Sequence, residues 1–168
     1  LARPCYFESK LPDYCEATLW SSARYSIKVI NSMHLAINNL ISHDTEIVLI
    51  GYSGGATIAT ILADKLENAI GLITIAGNLD TQLWTLHHNL LPLTHSINPS
   101  SYIYSNKSIS SVHLAGGKDL VIPLKIIHSY IAKRGGTLLV YDRYTHGCCW
   151  LNDWPSDLKR TMAILEKK

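Results

Sequence analysis

Short continuous apolar runs alternate along this chain with apolar residues spaced by three or four positions. The continuous, β-branched runs predict strands covered on both faces, as in a parallel sheet. The spaced positions predict amphipathic helices, the first of them a single long helix. The strands are expected at 46–50, 69–75, 111–115 and 137–141, and the helices at 20–40, 58–66, 122–133 and 155–166.

This order of elements predicts an α/β fold with a mostly parallel sheet and helices on both faces, because right-handed crossovers connect parallel strands. Pro123 suits the first turn of its helix, and Pro155 is expected to begin the last helix. Two stretches depart from the alternation. Residues 1–18 predict a strand end followed by a loop. Residues 78–110 are predicted to lie over the carboxyl edge of the sheet as a small lid or cap.

Composition narrows the class of protein. The 168 residues fit one domain, 1–168, and 47% hydrophobic residues can bury a substantial core. The net charge is +2 with scattered Lys and Arg, which argues against nucleic acid as a partner. No apolar run is long enough to predict a membrane span. The chain begins at Leu1 and carries no signal peptide, so we expect a processed product, a domain or a fragment.

The four cysteines leave the redox state open. Cys5 and Cys15 could close a short loop as a disulfide, which would favour an exported protein, or remain reduced thiols in a cytoplasmic one. Cys148 and Cys149 are adjacent and are predicted to be poorly placed to bridge each other. Neither a C-x-x-C spacing nor a Cys/His cluster suggests zinc.

The segment Gly51-Tyr52-Ser53-Gly54-Gly55 matches the pattern G-x-S-x-G and stands between a predicted buried strand and a predicted helix. On such a sharp turn the serine has a strained backbone, and only small residues two positions before and after it avoid collision. The turn places the Ser53 hydroxyl at a helix N-terminus, where the Gly54 N–H is a candidate oxyanion donor. The alternative is a phosphate-binding or simply tight glycine-rich turn.

Two further candidates follow predicted strands in the chain order Ser, Asp, His. Asp119 comes after the third strand, where Asp80 and Asp142 are the competing acids. His146 comes after the fourth strand and before Gly147. In this reading Asp119 orients the imidazole, and His146 takes the proton of Ser53 as general base.

These motifs resemble those of the α/β-hydrolase superfamily over nearly the whole chain. The matching pieces are residues 51–55, 116–123 and 145–147. More narrowly, the sequence resembles a poorly characterised bacterial group of serine esterase- or lipase-like proteins, through Arg3-Pro4-Cys5, Trp20 with Arg24-Tyr25, and residues 78–99. The resemblance implies ester hydrolysis through an acyl-enzyme, a triad at the three candidate positions, and no cofactor or metal.

The resemblance also implies a missing part. In this fold a second oxyanion amide comes from a loop after an early strand, and no such motif precedes Ser53. Residues 1–3 correspond to the end of a middle strand, so further strands are expected upstream. Whether the chain alone is active is left open by this resemblance, which also implies a sheet edge open to an upstream N-terminal segment or to self-association.

Three functions therefore remain open at this point. The first is a serine esterase or lipase acting on a small-molecule or lipid-like ester. The second is an acyltransferase or thioesterase with the same triad, and the third is a binding domain that kept the fold and lost turnover. The apolar lid segment favours an acyl or otherwise apolar substrate. The candidate substrate-binding residues are Tyr52, Asn78 and Trp84.

Overall fold

The computed structural model describes residues 1–6, 12–105 and 109–167. Its four strands form one parallel sheet in the order β1-β2-β3-β4. The strands are β1 (Ile47–Tyr52), β2 (Ala69–Ile75), β3 (Ser110–Gly116) and β4 (Thr137–Tyr141). The α-helices are α1 (Ile27–Leu40), α2 (Gly54–Lys65), α3 (Thr81–His87), α4 (Leu124–Arg134) and α5 (Trp150–Leu165), and a 3-10 helix covers Ala17–Trp20. The prediction of a parallel α/β sheet is confirmed.

Helices cover both faces of the sheet because its side chains alternate in direction along each strand. On one face, Ile73 and Val112 pack with Trp150 and the apolar side of α5. On the other face, α2 and α4 bury their apolar sides, and α1 packs against α2. The two central strands are therefore nearly enclosed. Among the described residues, no helix is both long and apolar enough to cross a membrane.

The prediction of one long helix over 20–40 is wrong. The chain turns at Ser26, whose extended backbone (φ −67°, ψ 161°) caps α1 and whose Oγ accepts a hydrogen bond from Val29 N. Immediately before it, Tyr25 N donates to Ser96 Oγ (3.1 Å) and Tyr25 O accepts from Ile97 N (3.0 Å). These bonds tie residue 25 to the segment after α3, so its backbone groups are not available to a continuing helix.

The proline positions in two other helices also differ from the predictions. Pro123 is the N-cap of α4 and does not lie in its first turn. Pro155 lies inside α5, which begins five residues earlier at Trp150. The Trp150 side chain is buried against Tyr141 and Tyr144. This packing fixes the first turn of α5 upstream of the proline.

The predictions of a fully covered first strand and of a strand end at residues 1–3 are both wrong. Among the described residues β1 is the first strand of the sheet order, and Ile50 on it is 44% exposed. Residues 1–3 are irregular in the structure, where β2 is the partner of β1 among the described residues. Residues 7–11 of the predicted N-terminal loop lie outside the described residues.

The structure contains two disulfides. Cys5 and Cys15 are bonded, with their Cα atoms 5.7 Å apart. Cys148 and Cys149 are also bonded to each other. This pairing differs from the prediction that the second pair is poorly placed to bridge.

The segment after β2 begins at the carboxyl edge of the sheet and returns to the amino edge, where β3 starts. Its first part is fixed by Asp80, which is 5% exposed. The Asp80 carboxylate accepts hydrogen bonds from Leu83 N (3.1 Å), Asn98 Nδ2 (3.1 Å) and Ser129 Oγ (2.6 Å). Burial raises the pKa of Asp80, but these hydrogen bonds outweigh it and hold the pKa below its usual value. Residues 106–108 of the predicted lid lie outside the described residues.

His113 lies in the middle of β3 and is fully buried. Its Nδ1 is 2.8 Å from Thr74 Oγ1, its ring meets Tyr130 edge-on, and its Nε2 has no hydrogen-bond partner among the described residues. Burial lowers the pKa of His113 to about 4. The folded protein therefore holds a neutral imidazole where the unfolded chain takes up a proton near pH 6.5.

We predict that the free energy of unfolding falls as the pH drops from 6.5 to about 4, because only the unfolded chain gains a proton at His113 in this window. The loss attributable to this residue is about 3 kcal/mol. Urea titrations at several pH values should show a flatter pH dependence for His113→Gln. The control is His128→Gln, at an exposed histidine. An unchanged slope of the unfolding free energy against pH in His113→Gln would contradict the prediction.

Candidate active site

Ser53 occupies the turn that joins β1 to α2. Its backbone is in the left-handed region (φ 53°, ψ −119°), which a residue with a side chain rarely adopts. Ser53 N donates to Ile75 O (2.9 Å), and Ser53 O accepts from Ala56 N (3.1 Å) and Asn78 N (3.2 Å). The turn is thus tied to the end of β2 and to the first turn of α2, and the Ser53 side chain is half-buried.

The glycines around Ser53 differ in how much space each leaves for a side chain. A Cβ on Gly51 would lie 2.6 Å from Ala56 Cα and from Gly55 O, so α2 can leave the strand this sharply only without a side chain there. A Cβ on Gly55 would meet nothing within 4 Å. The prediction that a small residue is needed two positions after the serine is therefore wrong. The crowded position is Gly54, where a Cβ would lie 2.5 Å from the Tyr25 hydroxyl.

Gly54 is the first residue of α2, so its N–H has no carbonyl partner within the helix. This is the amide that the sequence suggested as an oxyanion donor. The buried Tyr25 ring packs against Gly54 in this turn, and burial raises the pKa of the Tyr25 hydroxyl. The helix N-terminus adjoining Ser53 favours negative charge, because unpaired amides and the helix dipole point there.

Asp119 lies in the loop after β3 and is 4% exposed. Its Oδ1 accepts hydrogen bonds from Val121 N and Ile122 N, both at 2.8 Å. These two bonds fix the carboxylate in the loop and leave Oδ2 directed at His146. The Asp119 loop is in turn bonded to the loop after β4, since Gly117 N donates to Tyr141 O and Lys118 N to Tyr144 O, both at 2.9 Å.

His146 connects the other two candidates. Its Nδ1 is 2.8 Å from Asp119 Oδ2, and its Nε2 is 3.0 Å from Ser53 Oγ. The side chain of His146 is 20% exposed, so the ring is accessible from one side. Of the competing acids, Asp80 is bonded to its own cluster and Asp142 is exposed. The structure therefore brings together Ser53, Asp119 and His146.

The backbone of His146 is held by two side chains. Tyr52 Oη donates to His146 O (2.8 Å), and Trp150 Nε1 donates to the same oxygen (2.9 Å). The Tyr52 ring also lies 5.2 Å from the His146 ring, centre to centre. Burial raises the pKa of Tyr52, with a smaller contribution from the Asp119 charge, so its hydroxyl remains a donor. Two elements, β1 and α5, thus fix the loop that carries the imidazole.

The other two predicted substrate-binding residues, Asn78 and Trp84, lie next to the Ser53 turn and the Asp119 loop respectively. Asn78 is 2% exposed, and its backbone bonds to Ser53 O and accepts from Thr57 Oγ1 (2.6 Å). Asn78 Oδ1 is buried without a partner among the described residues. Trp84 lies on α3, and its Nε1 donates to Val121 O (2.9 Å) in the Asp119 loop. A substrate-binding role for Tyr52, Asn78 and Trp84 stays a prediction.

Sequence reasoning missed Tyr25 and Trp150 as residues of this site. Trp150 begins α5, and its Nε1 reaches back to His146 O in the preceding loop. This residue was missed because the last helix was expected to begin at Pro155. Tyr25 carried no signal, since its contact with Gly54 depends on the break before α1. Within the described residues, no group of three His, Cys, Asp or Glu side chains is arranged to hold a metal ion.

The fold and the comparison with solved structures define the class of architecture. A parallel sheet, a serine on the strand-to-helix turn after β1, and loops after β3 and β4 meeting at the same edge constitute the α/β-hydrolase fold. An esterase from Pyrococcus furiosus superposes with a TM-score of 0.62 at 16% identity, over 84% of this chain and 62% of the esterase.

Two further structures are also similar to this chain. A lipase-esterase related protein from Clostridium acetobutylicum matches with a TM-score of 0.62 at 15% identity, covering 92% of this chain and 80% of that protein. Mouse alpha/beta hydrolase domain-containing protein 10 matches with a TM-score of 0.56 at 18% identity, over 90% of this chain and 74% of its own. No family model and no curated protein matches the sequence. The chain spans less than two thirds of the length of the Pyrococcus esterase.

We predict opposite effects on stability for two alanine substitutions in the serine turn. Gly51→Ala should lower the free energy of unfolding by about 1–3 kcal/mol, because its Cβ would collide with backbone that cannot move independently. Gly55→Ala should be neutral or raise it by roughly 0.5–1 kcal/mol, because alanine is the better helix former. Chemical denaturation of the matched pair tests this. Equal destabilisation by both substitutions would show that the crowding is not confined to Gly51.

Proposed function

We propose that this protein is a serine hydrolase that cleaves carboxylic esters through an acyl-enzyme on Ser53. The proposal rests on the two contacts of the His146 ring. Its Nδ1 is 2.8 Å from Asp119 Oδ2, and its Nε2 is 3.0 Å from Ser53 Oγ. These distances lie within the range that proton transfer requires. The likeness to proteins named as esterases supports the same class of reaction.

In the proposed reaction His146 acts first as base and then as acid. Carboxylate oxygens only accept hydrogen bonds, so Nδ1 carries the ring proton and Nε2 receives the proton of Ser53 as Oγ attacks the ester carbonyl carbon. The Gly54 N–H stabilises the oxyanion of the tetrahedral intermediate. The intermediate collapses when Nε2 protonates the leaving alcohol. Water then attacks the acyl-enzyme by the same sequence and releases the acid.

The substrate is proposed to be an ester with an apolar acyl group. Trp84 lines an apolar groove together with Leu90, Leu91, Pro92 and Leu93, in the segment proposed as the lid. This groove adjoins the Asp119 loop through the Trp84–Val121 hydrogen bond. Residues 78–110 are proposed to form the lid, fixed at its base by the buried cluster around Asp80.

A fluorophosphonate probe should label Ser53 of the wild-type chain, because the probe reacts only with a serine activated by a neighbouring base. Ser53→Ala should abolish labelling. Asp119→Asn should slow it by about 10³–10⁴-fold, because its oxygen stays with Val121 N and Ile122 N and its NH2 then faces Nδ1, which favours the wrong imidazole tautomer. Mass spectrometry of the labelled peptide identifies the site. Ser156→Ala, an exposed serine on α5, is the matched control.

Labelling of Ser156, or labelling that persists in Ser53→Ala, would contradict the assignment of the nucleophile. Absence of labelling in a folded wild-type chain would contradict activation of Ser53 by His146 in this protein. Folding is checked by circular dichroism on the same samples.

Tyr52 is proposed as a positioning residue that acts through His146. Tyr52→Phe keeps the ring but removes one of the two hydrogen bonds to His146 O. The bond from Trp150 Nε1 to the same oxygen remains. We predict a fall in kcat, or in the labelling rate, of about fivefold with little change in KM, as expected for one lost hydrogen bond. Tyr14→Phe, at an exposed tyrosine, is the control. A raised KM with unchanged kcat would instead indicate that Tyr52 contacts the substrate.

A further inference from the structure

Four large aliphatic side chains are exposed beside the loop that carries Asp119. Leu91 is 88% exposed, Leu120 is 83%, Leu90 is 50% and Val121 is 44%. We refer to these four residues as the apolar rim. Single exposed aliphatic residues are ordinary on protein surfaces, but a cluster of this kind indicates a surface that contacts another apolar phase.

The two halves of the apolar rim are joined through α3. Trp84 Nε1 donates to Val121 O (2.9 Å), and His88 Nε2 lies 2.8 Å from the same oxygen. On its other side, Trp84 lines a groove with Leu90 and Leu91. Trp84 therefore stands between the two pairs of the rim, in contact with Leu90 and Leu91 through the groove and with Val121 through its carbonyl oxygen. The rim adjoins the candidate site because Asp119 Oδ1 accepts a hydrogen bond from Val121 N.

Basic residues predominate around the apolar rim. From Thr81 to Arg134 the sequence contains a single acidic residue, Asp119, which is buried in the candidate site. Exposed Lys118 and Lys125 stand beside the rim in the sequence, and Arg24 lines the groove that holds Leu90 and Leu91. The exposed Asp142 lies against Gly117 at the start of the same loop, so one carboxylate accompanies these cations. An apolar surface flanked mainly by Lys and Arg is complementary to an anionic lipid surface.

We infer that the apolar rim docks this protein on anionic lipid surfaces. The exposed side chains enter the acyl region while the neighbouring cations contact the head groups. A second copy of the chain fits this surface less well, because the same face on the partner would bring Lys and Arg against Lys and Arg. The inference does not depend on the proposed hydrolysis, since docking needs no contribution from Ser53.

The test is co-sedimentation of the purified chain with vesicles of phosphatidylcholine and phosphatidylglycerol in equal parts, compared with vesicles of pure phosphatidylcholine. The wild-type chain should partition more strongly onto the anionic vesicles. Leu91→Ser and Leu120→Ser should each weaken this partition by about tenfold, because each removes one inserting side chain. Lys125→Gln should weaken it by about fivefold on anionic vesicles only.

Matched controls come from exposed residues elsewhere. Leu40→Ser, at a leucine 74% exposed at the end of α1, and Lys159→Gln on α5 should leave partition unchanged. Ser53→Ala should bind as the wild type does, which separates this inference from the proposed reaction. Failure of the wild type to bind anionic vesicles would overturn the inference. So would equal losses in Leu40→Ser and Leu91→Ser, or a dimer seen in sedimentation that Leu91→Ser abolishes without any vesicle binding.

Discussion

The backbone of Ser53 leaves β1 in a left-handed conformation, and three hydrogen bonds to Ile75, Ala56 and Asn78 hold it there. This turn has no room for a side chain at Gly51, because α2 folds back directly over the strand. The same sharp reversal directs the start of α2, and with it the Gly54 N–H, toward the serine. The packing of β1 and α2 around Ser53 therefore maintains its strained backbone. This turn determines where the Ser53 hydroxyl and the Gly54 N–H come together.

Parallel pairing determines which loops can reach that hydroxyl. Strands β3 and β4 end at the same edge as β1, so the loops that follow them lie side by side. Backbone hydrogen bonds from Gly117 and Lys118 to Tyr141 and Tyr144 then lock one loop to the other. The separation of Asp119 and His146 is in this way fixed by main-chain contacts, and the side chains need little rearrangement to meet. The donors from Tyr52 and Trp150 add a third anchor on the same loop.

The sequence was sufficient for the elements whose cause is local or periodic. The runs that form β2 and β4 were predicted with their observed bounds, because buried parallel strands need continuous apolar residues. The three candidate positions were found from one motif and from chain order. The remaining features depend on contacts between distant residues. Ser96 and Ile97 bind the backbone of Tyr25, so the helix predicted from residue 20 begins only at Ile27. The packing of Trp150 starts α5 ahead of Pro155. The pairing of Cys148 with Cys149 was likewise not predicted.

The choice between Asp80 and Asp119 shows how the donors around a carboxylate determine which acid serves an imidazole. Both carboxylates follow parallel strands, both are buried, and both accept backbone amides. In Asp80 one oxygen binds Leu83 N and Asn98 Nδ2, and the other binds Ser129 Oγ and lies 4.0 Å from Lys133 Nζ, so both oxygens are engaged within their own cluster. In Asp119 both amides are gathered on Oδ1, and Oδ2 remains for His146. A sequence can place two acids at one sheet edge, but only the donors around each decide which one is available.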